Sequence, residues 1–134
     1  MMAIIQSYGT NISVAANDLV PFATNAVLNG RVMHDNPTVF NFNKSGIYSL
    51  HAILNGSTTD AGTFGAQVLV NGAAQPQSVV SVTSTAGGNT EITLDTLIEL
   101  RNCLCQGVVS IPVSVQYTGS AGTLTLANVI IEKL

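Results

Sequence analysis

The sequence predicts an all-β sandwich or barrel with little or no helix, and three observations carry that. Turn signals recur every eight to fifteen residues: Asn29-Gly30, Asn36-Pro37, Ser45-Gly46, Asn55-Gly56, Asn71-Gly72, Gly87-Gly88 and Gly119 to Gly122. The runs between them are rich in Val, Ile, Thr and Leu, the pattern of many short strands. No run holds a 3.6-residue apolar period over a helix-length window with caps at its ends.

Taken in order, Ala3–Tyr8 and Val20–Ala23 are an N-terminal arm and a first strand. Asn25–Met33 and Thr38–Phe42 flank the Asn-Pro turn. Gly46–Leu54 puts Tyr48, Leu50, Ala52 and Leu54 on one face, and Thr63–Val70 does the same with Phe64, Ala66, Val68 and Val70. Ser78–Thr83 precedes Glu91–Leu100, whose Ile92, Leu94, Ile98 and Leu100 point inward while Glu91, Thr93, Asp95 and Glu99 point outward. Such alternation marks a half-buried antiparallel strand. Gly107–Tyr117 and Thr123–Lys133 complete the set.

These last two runs do not alternate. Val108-Val109-Ser110-Ile111 and Val129-Ile130-Ile131 are apolar on both faces. One face packs the core, and no helix is available to cover the other. Burial against neighbouring copies is the expectation, with Val129, Ile131, Val109 and Ile111 outward and Ile130 inward. The alternative is cover from a loop or from Ala3–Tyr8 within one subunit. Pro112 implies an edge or a bulge, because proline cannot donate to a ladder.

Composition agrees with assembly. At 134 residues the chain suits one domain, with 46% hydrophobic but only 8% charged residues, against about 25% charged in an ordinary domain. Surplus apolar surface on a folded protein marks an interaction site. Four basic residues (Arg31, Lys44, Arg101, Lys133) and a net charge of −3 exclude a phosphate-neutralising surface, so nucleic acid is not the expected partner. No window approaches eighteen consecutive apolar residues, which excludes a transmembrane helix. The start shows neither a basic n-region nor a long apolar h-region, so synthesis and retention in a cytoplasm, or release by a route other than secretion, is expected.

Catalytic signals are absent. Cys103 and Cys105 share a face if they lie on a strand, and one intervening residue strains a mutual disulfide. They are expected as small, semi-buried thiols. Glu91, Asp95 and Glu99 form a solvated stripe rather than an acid–base pair. His34-Asp35 sits in a turn, where Asp favours local backbone bonds. No G-x-S-x-G elbow or phosphate loop occurs. No catalytic residue, metal or cofactor is expected.

One resemblance joins the parts. Val20-Pro21-Phe22, Asn29-Gly30, the run from Val39 through Phe42 and Gly46 to Tyr48, and Gln67-Val68-Leu69-Val70-Asn71-Gly72 follow one another in an order that resembles tumour-necrosis-factor-like and complement-globular-head jelly rolls. The resemblance runs from about Val20 to Leu134. Within that superfamily the chain is similar to bacteriophage head-fibre or capsid-decoration proteins and to the heads of collagen-like spore-surface glycoproteins. Met2-Ala3-Ile4-Ile5-Gln6-Ser7-Tyr8 and the stretch from Asn102 to Gly107 fit the outline of the phage proteins. The resemblance implies a ten-stranded antiparallel jelly roll over 19–134, preceded by an arm or first strand over 1–18, and a homotrimer. Two features depart from it: no Gly-X-Y repeat precedes the domain, and Cys103–Gly107 replaces a common Gly-Asp turn.

The expected function is a non-enzymatic structural trimer on a virion surface, made in a bacterial cytoplasm. The alternative is a receptor- or carbohydrate-binding head on a phage fibre or a bacterial or spore surface. Partners are then the chain itself, with a capsid or fibre protein or a host-surface glycan, and no membrane. The arm, through Ile4, Ile5 and Tyr8, is the expected attachment to a carrier, unless it is simply the first strand.

Overall fold

The computed structural model describes residues 4–29, 32–42, 45–100 and 111–134, with the backbone alone at 29 and 32–35. Among them are eleven strands, ten of four residues or more: β1 (Ile4–Val14), β2 (Thr24–Asn29), β3 (Val32–Asn36), β4 (Val39–Phe42), β5 (Gly46–Thr58), β6 (Gly62–Val70), β7 (Ala73–Ala74), β8 (Val80–Ser84), β9 (Thr90–Leu100), β10 (Ile111–Tyr117) and β11 (Gly122–Lys133). One 3₁₀ turn, Pro76–Ser78, is the sole helical element among the described residues. They form two antiparallel sheets, β2-β1-β11-β5-β9 and β3-β4-β10-β6-β7, with β8 also pairing β6. The chain passes back and forth between the sheets, which makes the sandwich a jelly roll.

The core lies between the sheets because each strand alternates. Tyr48, Leu50, Ala52 and Leu54 of β5, and Ile92, Leu94, Ile98 and Leu100 of β9, are all buried, as the sequence predicts. The second sheet contributes Phe40, Phe42, Phe64, Ala66, Val68, Val113, Val115 and Tyr117. Aromatic rings pack the core: Phe42 meets Tyr48 edge to face at 4.6 Å across the layers, and Phe64 meets Tyr117 at 5.6 Å within one sheet. Such pairs prefer tilted contacts, where a ring's positive edge meets another's negative face. Asn71 and Gly72, both at positive φ, make the two-residue turn between Val70 and Ala73, a geometry Asn-Gly supplies with little strain.

Four expectations change. Of Ala3–Tyr8, the described Ile4–Tyr8 is part of a longer strand, β1, paired to β2 on one side and β11 on the other. Val20–Ala23 is not a strand; the preceding Leu19 bridges Gln116, and the Val20 N–H donates to the Val115 carbonyl at 2.8 Å. This segment stands where β4 is too short to flank β10. Asn25–Met33 divides into β2 and β3, which lie in different sheets. Pro112 sits in β10, between β4 and β6 of a six-stranded sheet and not at an edge. Its missing donor is tolerated because the ladder to β6 begins one residue later, at Val113↔Val70, while the Pro112 carbonyl accepts from Asn71 N–H.

Candidate functional site

The outward face of the five-stranded sheet carries the candidate site. Its side chains stand in cross-strand rows set by register. Ile4, Glu132, Ser49 and Leu97 form one row; Gln6, Ile130, His51 and Asp95 the next; Tyr8, Asn128, Ile53 and Thr93 a third. Leu97 is 58% exposed, Ile47 43% and Tyr8 36%. On the β2 edge, Val27 and Leu28 are also exposed, although they point to opposite sides of the strand. A single exposed leucine means little, but several on one sheet face form a patch.

Polar groups on this face are organised by the same rows. Gln6 Nε2 donates to Asn128 Oδ1 at 3.3 Å, and His51 Nδ1 contacts Asp95 Oδ1 across β5 and β9. Carboxylates dominate: Glu91, Asp95 and Glu99 on β9 and Glu132 on β11. Among the described residues no lysine or arginine occupies an outward position here. An open groove of about 470 Å³ runs beside β9, lined by Ser49, Asp95, Thr96, Leu97 and Gln77. It is too open to enclose a small molecule.

The sequence-derived site residues are rearranged. Val129 and Ile131 are fully buried in the core, Ile111 is buried as well, and Ile130 points outward, so the assignment of faces is reversed. Val109 lies outside the described residues, as do Cys103 and Cys105. The cause is a bulge. The β11–β5 register shifts between Leu124 and Leu126, so Thr125 is an extra residue. Strict alternation from buried Leu124 would turn Ile130 inward; one inserted residue moves every later side chain to the opposite face.

The arm changes too. Ile5 is fully buried, Ile4 is half-buried and Tyr8 is outward. Because β1 is paired on both sides over Ile4–Tyr8, that stretch has no free edge to offer a carrier, and Ile5 is removed as an attachment residue. Ile47, Leu97, Ile130 and the His51–Asp95 contact were missed from sequence. Leu97 had a signal, since it falls on the outward parity of β9 among Thr93, Asp95 and Glu99.

Among the described residues no group of three His, Cys, Asp or Glu side chains lies close enough to hold a metal. The phenol pKa of Tyr48 and of Tyr117 is pushed up by burial, and both are core residues.

No protein-family model matches the chain, and no curated protein matches it. Solved structures do. Murine APRIL superposes with a TM-score of 0.71 at 13% identity, covering 100% of both chains. The Eiger TNF of S. frugiperda gives 0.71 at 10%, over 99% of this chain and 92% of that one. The globular domain of zebrafish complement 1qA gives 0.62 at 9%, over 98% and 96%. The fold is a TNF-like jelly roll.

Proposed function

We propose that this chain is a non-enzymatic module that assembles as a homotrimer through the outward face of the five-stranded sheet. The trimer then serves as a structural protein of a virion surface, a capsid decoration or head fibre. The observation that carries the assembly is the exposure of Ile47, Leu97 and Tyr8 on one sheet face, flanked by Val27. A second copy is the occupant that fits. The face mixes apolar residues with polar pairs rather than forming a deep slot for a peptide, and copies of one chain close their apolar surface by cyclic symmetry. The TNF-like resemblance supports three copies rather than two.

The virion role rests on the order of motifs along the chain, from the Met2–Tyr8 start to the apolar last strand. Size-exclusion chromatography with light scattering is expected to give the trimer mass at micromolar concentration. A monomer would overturn the assembly. Particles of the source phage, analysed by mass spectrometry, are expected to contain the chain; its absence from them would overturn the virion role and leave the assembly standing. Glycan binding without particle association would move the module to a receptor-binding head.

A further inference from the structure

We infer that the His51–Asp95 pair makes the assembly pH-dependent, favouring the assembled state when the imidazole is protonated; this rests on the assembly proposed above. The two side chains touch through Nδ1 and Oδ1, and both are partly exposed, at 38% and 68%. They stand in the middle row of the candidate surface, beside Ile130 and between the rows that carry Leu97 and Ile53. A second copy laid on this face takes both from water.

Position determines the sign. A carboxylate removed from water needs a compensating charge. Among the described residues, the groups facing His51 supply none other than the imidazole itself. Asp95, Glu91 and Glu99 lie on β9, Glu132 lies on β11, and Tyr8 lies on β1. Lys133 is on the opposite parity of β11, with its side chain over Gly46. Histidine is the side chain whose charge ordinarily changes between about pH 5 and pH 8. Protonated, it makes a neutral pair with Asp95 and reduces the repulsion among the four carboxylates each copy brings. Deprotonated, it leaves Asp95 without that neighbouring charge. Assembly therefore takes up a proton, and by linkage the assembly weakens as pH rises. The effect enters once per protomer.

The test is the dissociation constant of the assembly between about pH 5.5 and pH 8.5, measured by sedimentation velocity on the wild type, His51→Gln and Asp95→Asn. The wild-type constant is expected to rise about tenfold or more over that range. His51→Gln should be weak and flat throughout, because its carboxylate is uncompensated at every pH. Asp95→Asn should stay tight at the alkaline end. A pH-independent wild-type trimer overturns the inference and spares the assembly. A His51→Gln slope equal to wild type assigns the effect to Glu91, Glu99 or Glu132 and also overturns it. A monomer at every pH overturns both.

Discussion

Ile130 of β11 stands directly opposite His51 of β5 on the outward side of the sheet, and one residue back Val129 faces Ala52 inside the core. Neighbouring residues of one strand therefore report on different properties. Ile130→Asp is expected to abolish assembly while leaving protomer stability within about 0.5 kcal/mol, as for other surface substitutions. Val129→Asp buries a carboxylate without a partner and is expected to cost several kcal/mol, roughly, unfolding the protein. Light scattering reads the first and urea denaturation the second. An assembled Ile130→Asp beside a folded, monomeric Val129→Asp would reverse the faces.

Close packing of backbone gives a second prediction. Gly56 of β5 and Gly122 of β11 sit near the bulge, where a Cβ on Gly56 would lie 2.2 Å from the Thr123 carbonyl oxygen and one on Gly122 would lie 2.1 Å from that of Ser57. Neither contact can be relieved by a side-chain rotation, since both partners are backbone. Gly56→Ala and Gly122→Ala should each lower stability by about 1–3 kcal/mol in urea titrations. Gly72→Ala is the informative comparison. Its Cβ would meet nothing within 4 Å, and its φ of +80° alone should penalise alanine.

The bulge also explains what the sequence could and could not convey. In β5 and β9, apolar and polar residues alternate over long runs, so both the strands and their inward faces are legible. In β11, Leu124, Leu126, Val129, Ile130 and Ile131 are apolar on either parity, and the single extra residue at Thr125 is invisible in hydrophobicity. The split of Asn25–Met33 into two sheets was hidden for a related reason: a chain crossing between layers keeps the same composition on both sides. The candidate surface was half legible. Leu97 is an apolar residue in a polar series, whereas the meeting of His51 with Asp95, 44 positions apart, depends on register.

The buried tyrosines set an alkaline limit. Burial raises the phenol pKa of Tyr48 and of Tyr117 above the ordinary 10.0. The folded state thus holds these protons after the unfolded chain has released them. Their contribution to stability is complete below about pH 10 and is lost as pH rises through the folded-state values. Thermal melts should show a falling midpoint above about pH 10. Tyr117 also donates to the Ser120 carbonyl at 2.5 Å. Tyr117→Phe should therefore cost about 1 kcal/mol at neutral pH and flatten part of the alkaline decline. An unchanged decline in both Tyr117→Phe and Tyr48→Phe would assign the limit to other groups.

The first strand supplies the sharpest contrast between attachment and architecture. β1 lies between β2 and β11, and its Ile5 and Ser7 are fully buried opposite Ile131 and Val129. Deleting residues 1–17 would strip β11 of one ladder, expose an edge rich in valine and isoleucine, and open the core at Ile131. Bare edges of that kind template aggregation. The truncated chain is expected to be insoluble or to lose its cooperative denaturant transition. Point substitutions separate the two roles without removing the strand. Ile5→Ala should cost about 2–5 kcal/mol, whereas Tyr8→Ala, on the outward face, should leave the protomer folded and weaken assembly. A truncated protein that still folds and trimerises but no longer joins particles would restore the arm as an attachment device. In that case β11 would have to be stable at the sheet edge, and hydrogen exchange along Val129–Ile131 would remain slow.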